Sequence, residues 1–155
     1  MPSLMSPLVT LHLLAAIVWV GGMFFAYMAL RPAAAMVLQP PQRLPLWGQT
    51  FRHFFPWVWV AVLLLLVTGY AMVFAVFGGF GHVGAHVHIM QVLGIAMVLL
   101  YMHLFFAPFK RLKNCVITED WPAAGAALNQ IRRIVGINLS LGLIVAAVAS
   151  GGRYF

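Results

Sequence analysis

The fold is decided by residues 54–77, which read FFPWVWVAVLLLLVTGYAMVFAVF and contain no charged side chain. A helix of about 20 apolar residues crosses the roughly 30 Å hydrocarbon core of a bilayer. Three further stretches share this character, so we predict membrane spans over residues 7–30, 54–77, 86–109 and 134–150. Each span is expected to be helical, because a lipid-exposed strand would leave its backbone groups without partners. The sequence therefore predicts an all-α integral membrane protein, a four-helix bundle forming one domain over residues 1–155.

The composition of the chain supports this class. Of its 155 residues, 64% are hydrophobic and 7% are charged. A soluble domain carries about 25% charged residues. The acidic residues are Glu119 and Asp120 alone, and the one cysteine, Cys115, cannot form an intrachain disulfide. A water-soluble enzyme, a disordered protein and a nucleic-acid binder are excluded.

Positive charge is concentrated in two of the three loops. Eight of the nine basic residues lie there, namely Arg31, Arg43 and Arg52 in the first loop and Lys110, Arg111, Lys113, Arg132 and Arg133 in the third. The bias of positive residues toward the cytoplasm predicts that both loops are cytoplasmic and that both termini lie outside, on the periplasmic side of a bacterial inner membrane. The net charge of +7 is thus a topology signal. The partner that this charge distribution implies is the lipid bilayer, and we do not expect nucleic-acid binding.

Two local features refine this topology. Prolines 40, 41 and 45 are expected to break the first cytoplasmic loop, so that Leu46–Phe55 lies on the membrane surface with Trp47 and Arg52 at headgroup level. Thr118 is expected to cap a helix that begins with the two acidic residues and continues into the fourth span.

Histidines are the main ionisable groups at membrane depth, and such groups tend to face the bundle interior or a functional site. By position along antiparallel spans, His12 and His88 share a shallow depth near the outer face, whereas His53 and His103 share the inner face. His88 and His103 are 15 residues apart, which is about 22 Å along a helix.

The first hypothesis from these positions is a b-type haem with bis-histidine ligation. His12 and His88 would ligate an outer haem, and His53 and His103 an inner second one. Gly21, Gly22 and Gly94 would provide room for the macrocycle, aromatic residues such as Trp19 would wall it, and Gln91 would hydrogen-bond a ligand. The activity would be electron transfer or oxidation of a quinol or another small reductant.

The alternative is copper handling, in transport or tolerance. His82, His86 and His88 cluster just before and at the start of the third span and Met90 follows them, and imidazole and thioether groups suit Cu(I). A third hypothesis is an accessory subunit whose histidines are structural. The sequence leaves open whether a redox protein or a second copy of the chain, as a homo-oligomer, is a further partner.

The segment LHLLAAIVWVGGMF at residues 11–24, followed by Leu30-Arg31-Pro32, resembles the first helix of the CopD family of copper-resistance membrane proteins. The pattern His88-x-x-Gln91-x-x-Gly94 with His103 and Ala107-Pro108 fits a small member of that family. The resemblance implies copper handling at the inner membrane.

The same placement of histidines is also similar to HemJ-type protoporphyrinogen oxidases, which are associated with haem b. In those proteins a lysine follows the third-helix histidine by two residues. Here Met90 occupies that position, so the resemblance extends to the two histidines but does not imply protoporphyrinogen oxidation.

Overall fold

The structure is a computed structural model that describes residues 2–152, and these are helical apart from short connections. The helices are α1 Pro2–Phe25, α2 Arg31–Val37, α3 Pro40–Ala71, α4 Ala85–Phe106, α5 Pro108–Ile117 and α6 Trp121–Gly151. A π-helical segment at Ala26–Leu30 joins α1 to α2, and another at Met72–Val76 extends α3. A 3₁₀ turn at Phe80–His82 precedes α4.

Four helical stretches are long and apolar enough to cross a membrane. They are Leu4–Val37, Pro40–Val76, Ala85–Ile117 and Trp121–Gly151, and they contain 31 to 37 residues each. The predicted all-helical, multi-pass architecture is confirmed, although each helical stretch is longer than the predicted span. The additional turns are more polar and extend beyond the length that a bilayer core requires.

The prediction that the prolines break the loop and leave Leu46–Phe55 as a separate surface segment is wrong. This segment forms part of α3, which runs through it without interruption. Pro40 and Pro41 stand at the helix start, where a missing N–H costs no hydrogen bond, and Pro45 lies inside the helix without ending it. Trp47, Phe51 and Phe55 are buried, and their successive ring centroids lie 5.2 and 5.0 Å apart. Spaced four residues apart, they form one face of α3 that packs into the bundle.

The prediction that Thr118 caps the last helix is also wrong. Asp120, rather than Thr118, caps α6, since its side chain accepts a hydrogen bond of 3.1 Å from the backbone N–H of Ala123. Thr118 instead follows the end of α5 and donates its hydroxyl to backbone carbonyls of that helix. The continuation of this helix into the fourth span, as α6, is confirmed.

The helices pack as two antiparallel pairs around an aromatic centre. α1 lies along α3, and α6 lies along both α4 and α5. Tyr101 connects the pairs, because its ring meets the edge of Trp19 and the ring of Phe55, and its hydroxyl donates to the Phe55 carbonyl. Large apolar side chains such as Leu13, Trp57 and Leu99 are exposed on the outside, as lipid contact requires.

The two ends of the bundle differ in chemistry. The histidine end carries His82, His86 and His88, before or within the first turn of α4, and His12, in the third turn of α1. The arginine end carries Arg31, Arg43 and Arg132, at the starts of α2 and α3 and in the first half of α6. Gly78 and Gly79 have φ of 78° and 114°, values that glycine adopts readily, and they turn the chain from α3 toward α4 at the histidine end.

Candidate functional site

His12 lies half-buried in the contact between α1 and α3 at the histidine end. Its Nδ1 is 2.8 Å from the Oγ1 of Thr68, a buried side chain. The ring also lies against Gly69, where an added Cβ would be 3.3 Å from the His12 Cε1 atom. The absence of a side chain at Gly69 therefore allows the imidazole to lie close against α3.

The hydrogen bonds of Thr68 determine which nitrogen of His12 carries the proton. The Thr68 hydroxyl donates its one proton to the carbonyl of Leu64, so toward His12 it can only accept. The neutral His12 ring therefore donates from Nδ1–H, which leaves the lone pair on Nε2. A ring nitrogen held by a protein acceptor, with the other free to coordinate, is the usual arrangement of a metal-binding histidine.

A second polar contact joins α4 to α3 at the same end. Gln91 donates from Nε2 to the hydroxyl of Tyr70, the residue after Gly69. His88 lies one turn before Gln91 and is exposed, with its ring centroid 6.0 Å from that of Phe80. Phe80 in turn contacts Tyr70. His12 and His88 thus lie at the same end of the bundle but contact different neighbours.

The other outer histidines also have separate surroundings. His86 packs against Gly84 and the end of α6 at Gly152, whereas exposed His82 lies near Gly78. Within residues 2–152, no group of three or more His, Cys, Asp or Glu side chains is placed to hold a metal ion. His82, His86 and His88 are therefore near one another in sequence without forming a three-residue site in the structure.

The predicted inner histidines lie near the arginine end. His53 is exposed, and its Nδ1 is 2.9 Å from the carbonyl of Gln49 in the preceding turn. His103 is exposed in the last turn of α4. These surroundings are those of interfacial histidines, and a second haem at this depth gains no support from them.

The room that the haem hypothesis requires is partly filled. The space beside Gly22 is occupied by the ring of Phe54, with which an added Cβ would collide. Trp19 is buried, and its ring packs edge-on against Tyr101 in the bundle centre. Gly21 and Gly94 have no such neighbours, since a Cβ at either would meet no atom within 4 Å. Bis-histidine haem ligation is therefore not supported by this geometry.

Thr68 is the site residue that the histidine pattern alone did not indicate. It is one of two buried polar side chains among the described residues, and the other is Asn138. A signal was present, because Thr68 lies in the second antiparallel span at the depth of His12 in the first. Pairing polar residues by depth across neighbouring spans would have identified it.

Four membrane-length helices, with one half-buried histidine held between two of them, define a multi-pass helical membrane protein with a polar site at one end. The chain belongs to the CopD family, because the family model for copper resistance protein D matches residues 48–151. This match covers α4, α5, α6 and residues 48–71 of α3, including Thr68 and His88, whereas His12 precedes it. No curated protein and no solved structure matches the chain.

Proposed function

We propose that this protein handles copper in the membrane, in transport or tolerance, and that Cu(I) is its cargo. The family match supports copper as the metal. The observation that carries the proposal is the hydrogen bond of His12 to Thr68, which leaves Nε2 of His12 with its lone pair. Imidazole nitrogen is a suitable ligand for copper, and thioether sulfur is suited to Cu(I) in particular.

Met72 is the proposed second ligand. It follows Thr68 by four residues and therefore lies on the same face of α3, one turn nearer the end of the bundle. Met72 is half-buried and begins the π-helical segment that packs beside α1. A transported ion must leave its site as well as enter it, so a sparse ligand set suits this function.

The outer histidines His82, His86 and His88, together with Met90, are proposed to collect the ion before it reaches His12. His82 and His88 are exposed at the histidine end. The excess of basic residues at the other end supports an orientation with the histidine end outside and the arginine end in the cytoplasm. Labelling of Cys115 in intact cells by a membrane-impermeant thiol reagent would contradict this orientation, because Cys115 lies in α5 near the arginine end.

The proposal is tested by titrating the purified full-length protein with Cu(I) in competition with a coloured chelator, and by recording its visible spectrum. We expect bound copper and no Soret band. His12→Ala should weaken Cu(I) binding by more than the roughly 10- to 100-fold that follows loss of a hydrogen-bond partner of a ligand. His53→Ala is the matched control, since it removes an exposed imidazole from the opposite end, and it should bind Cu(I) as the parent does.

Two outcomes would contradict this proposal, the first its metal and the second its ligand. One is a red protein with a Soret band and no bound copper, which would restore the haem hypothesis. The other is equal Cu(I) affinity of the parent and the His12→Ala variant, which would remove His12 from the site.

A further inference from the structure

The arginine end of the bundle contains a cavity of about 520 Å³ that the copper proposal does not use. It lies between the π-helical segment after α1, the starts of α2 and α3, and the first half of α6. Its volume is within the range of about 300–1,000 Å³ that small-ligand sites occupy.

Three arginines line this cavity, and no acidic residue does. They are Arg31, Arg43 and Arg132. The Arg31 guanidinium carbon lies 4.6 Å from the centre of the Tyr27 ring, which holds this charge at the cavity. The chain has only two acidic residues for its nine basic ones, and Asp120 already caps α6. The cavity is therefore complementary to an anion.

The remaining lining is mainly apolar. Trp121, Leu128 and Val135 of α6 line it with partly accessible side chains, and the buried side chains of Leu44 and Trp47 of α3 lie behind them. A small inorganic anion would gain no binding free energy from this apolar surface, because it has no apolar part to bury. An amphiphile with a negative head and an apolar tail would contact both parts of the cavity.

We infer that this cavity binds one anionic phospholipid, with its phosphate among Arg31, Arg43 and Arg132 and an acyl chain on the apolar surface. Arginine donors match phosphate oxygens in bidentate geometry, which favours a phosphate ligand. Basic pockets between membrane helices on the cytoplasmic side are known to hold phospholipid headgroups in general. The inference is independent of the copper proposal, because the cavity and His12 lie at opposite ends of the bundle.

The test uses the full-length protein in a neutral detergent, with phosphatidylglycerol, phosphatidylcholine and inorganic phosphate as separate probes. Native mass spectrometry should show one retained phosphatidylglycerol, and the same lipid should raise the thermal unfolding midpoint. Phosphatidylcholine and phosphate alone should do neither. An Arg43→Gln and Arg132→Gln double variant should bind phosphatidylglycerol about 25-fold more weakly, at roughly 5-fold for each arginine.

The matched control is the Arg52→Gln and Arg133→Gln double variant. It removes two arginines from the same two helices, α3 and α6, and neither residue lines this cavity. It should retain the parent affinity for phosphatidylglycerol. A third variant, Arg43→Lys with Arg132→Lys, keeps the charge and should bind more tightly than the Gln double variant.

Three results would overturn the inference. Equal loss of affinity in the two Gln double variants would show that net charge alone attracts the lipid. Equal retention of phosphatidylcholine and phosphatidylglycerol would show that the arginines do not select an anionic lipid. Binding of inorganic phosphate as tight as that of the lipid would show that the apolar surface does not contribute.

Discussion

His12 is the residue on which the proposed chemistry depends, and Thr68 is the residue that prepares it. An imidazole at membrane depth is costly unless it has a partner. This cost made His12 predictable as a functional candidate from the sequence alone. Its tautomer was not predictable, because it depends on a hydroxyl 56 residues away that already donates to its own helix.

Substitution of Thr68 tests this arrangement. Thr68→Val keeps the shape of the side chain but removes the acceptor for Nδ1–H of His12, so the ring loses its fixed tautomer. We expect Cu(I) affinity to fall about 10-fold or more in a chelator competition titration. Thr68→Ser retains the hydroxyl and should stay close to the parent. Identical affinities for the Val and Ser variants would show that the hydrogen bond does not support the site.

At the scale of helices, α3 shows what the sequence could and could not predict. The uncharged run at residues 54–77 correctly predicted a membrane helix, because length and hydropathy decide that question. The course of residues 46–55 was predicted wrongly, because the prolines before this segment do not break the helix. The four-residue spacing of Trp47, Phe51 and Phe55 was the signal for a buried helical face, and the structure follows it.

α1 and α3 approach each other closely at Gly22, so this position is sensitive to an added side chain. A Cβ at this position would collide with the ring of Phe54, whereas a Cβ at neighbouring Gly21 would meet nothing within 4 Å. Gly22→Ala should therefore cost about 1–3 kcal/mol through overpacking. Gly21→Ala should gain up to about 1 kcal/mol from helix propensity.

Thermal unfolding of the two variants in detergent provides the comparison. Gly22→Ala should unfold at a lower temperature than the parent, and Gly21→Ala at the same or a higher temperature. A Gly22→Ala protein as stable as Gly21→Ala would show that the Phe54 ring moves aside freely. In that case the fit between α1 and α3 would be looser than the structure indicates.

At the scale of the whole molecule, the sequence specified the class of protein better than its sites. Four spans and the separation of the outer histidines from the arginines follow from linear order, and the family match agrees with the resemblance carried by residues 88–108. The cavity at the arginine end could not be predicted, because Arg31, Arg43 and Arg132 come from three helices distant in sequence. In the linear sequence these arginines indicated orientation alone.

X-ray absorption spectroscopy at the copper edge, on the full-length protein loaded with one equivalent of Cu(I), tests the central claim most directly. The proposed site predicts imidazole nitrogen and thioether sulfur scattering around the metal, with the imidazole contribution lost in His12→Ala and retained in His53→Ala. A spectrum unchanged by His12→Ala would contradict the account.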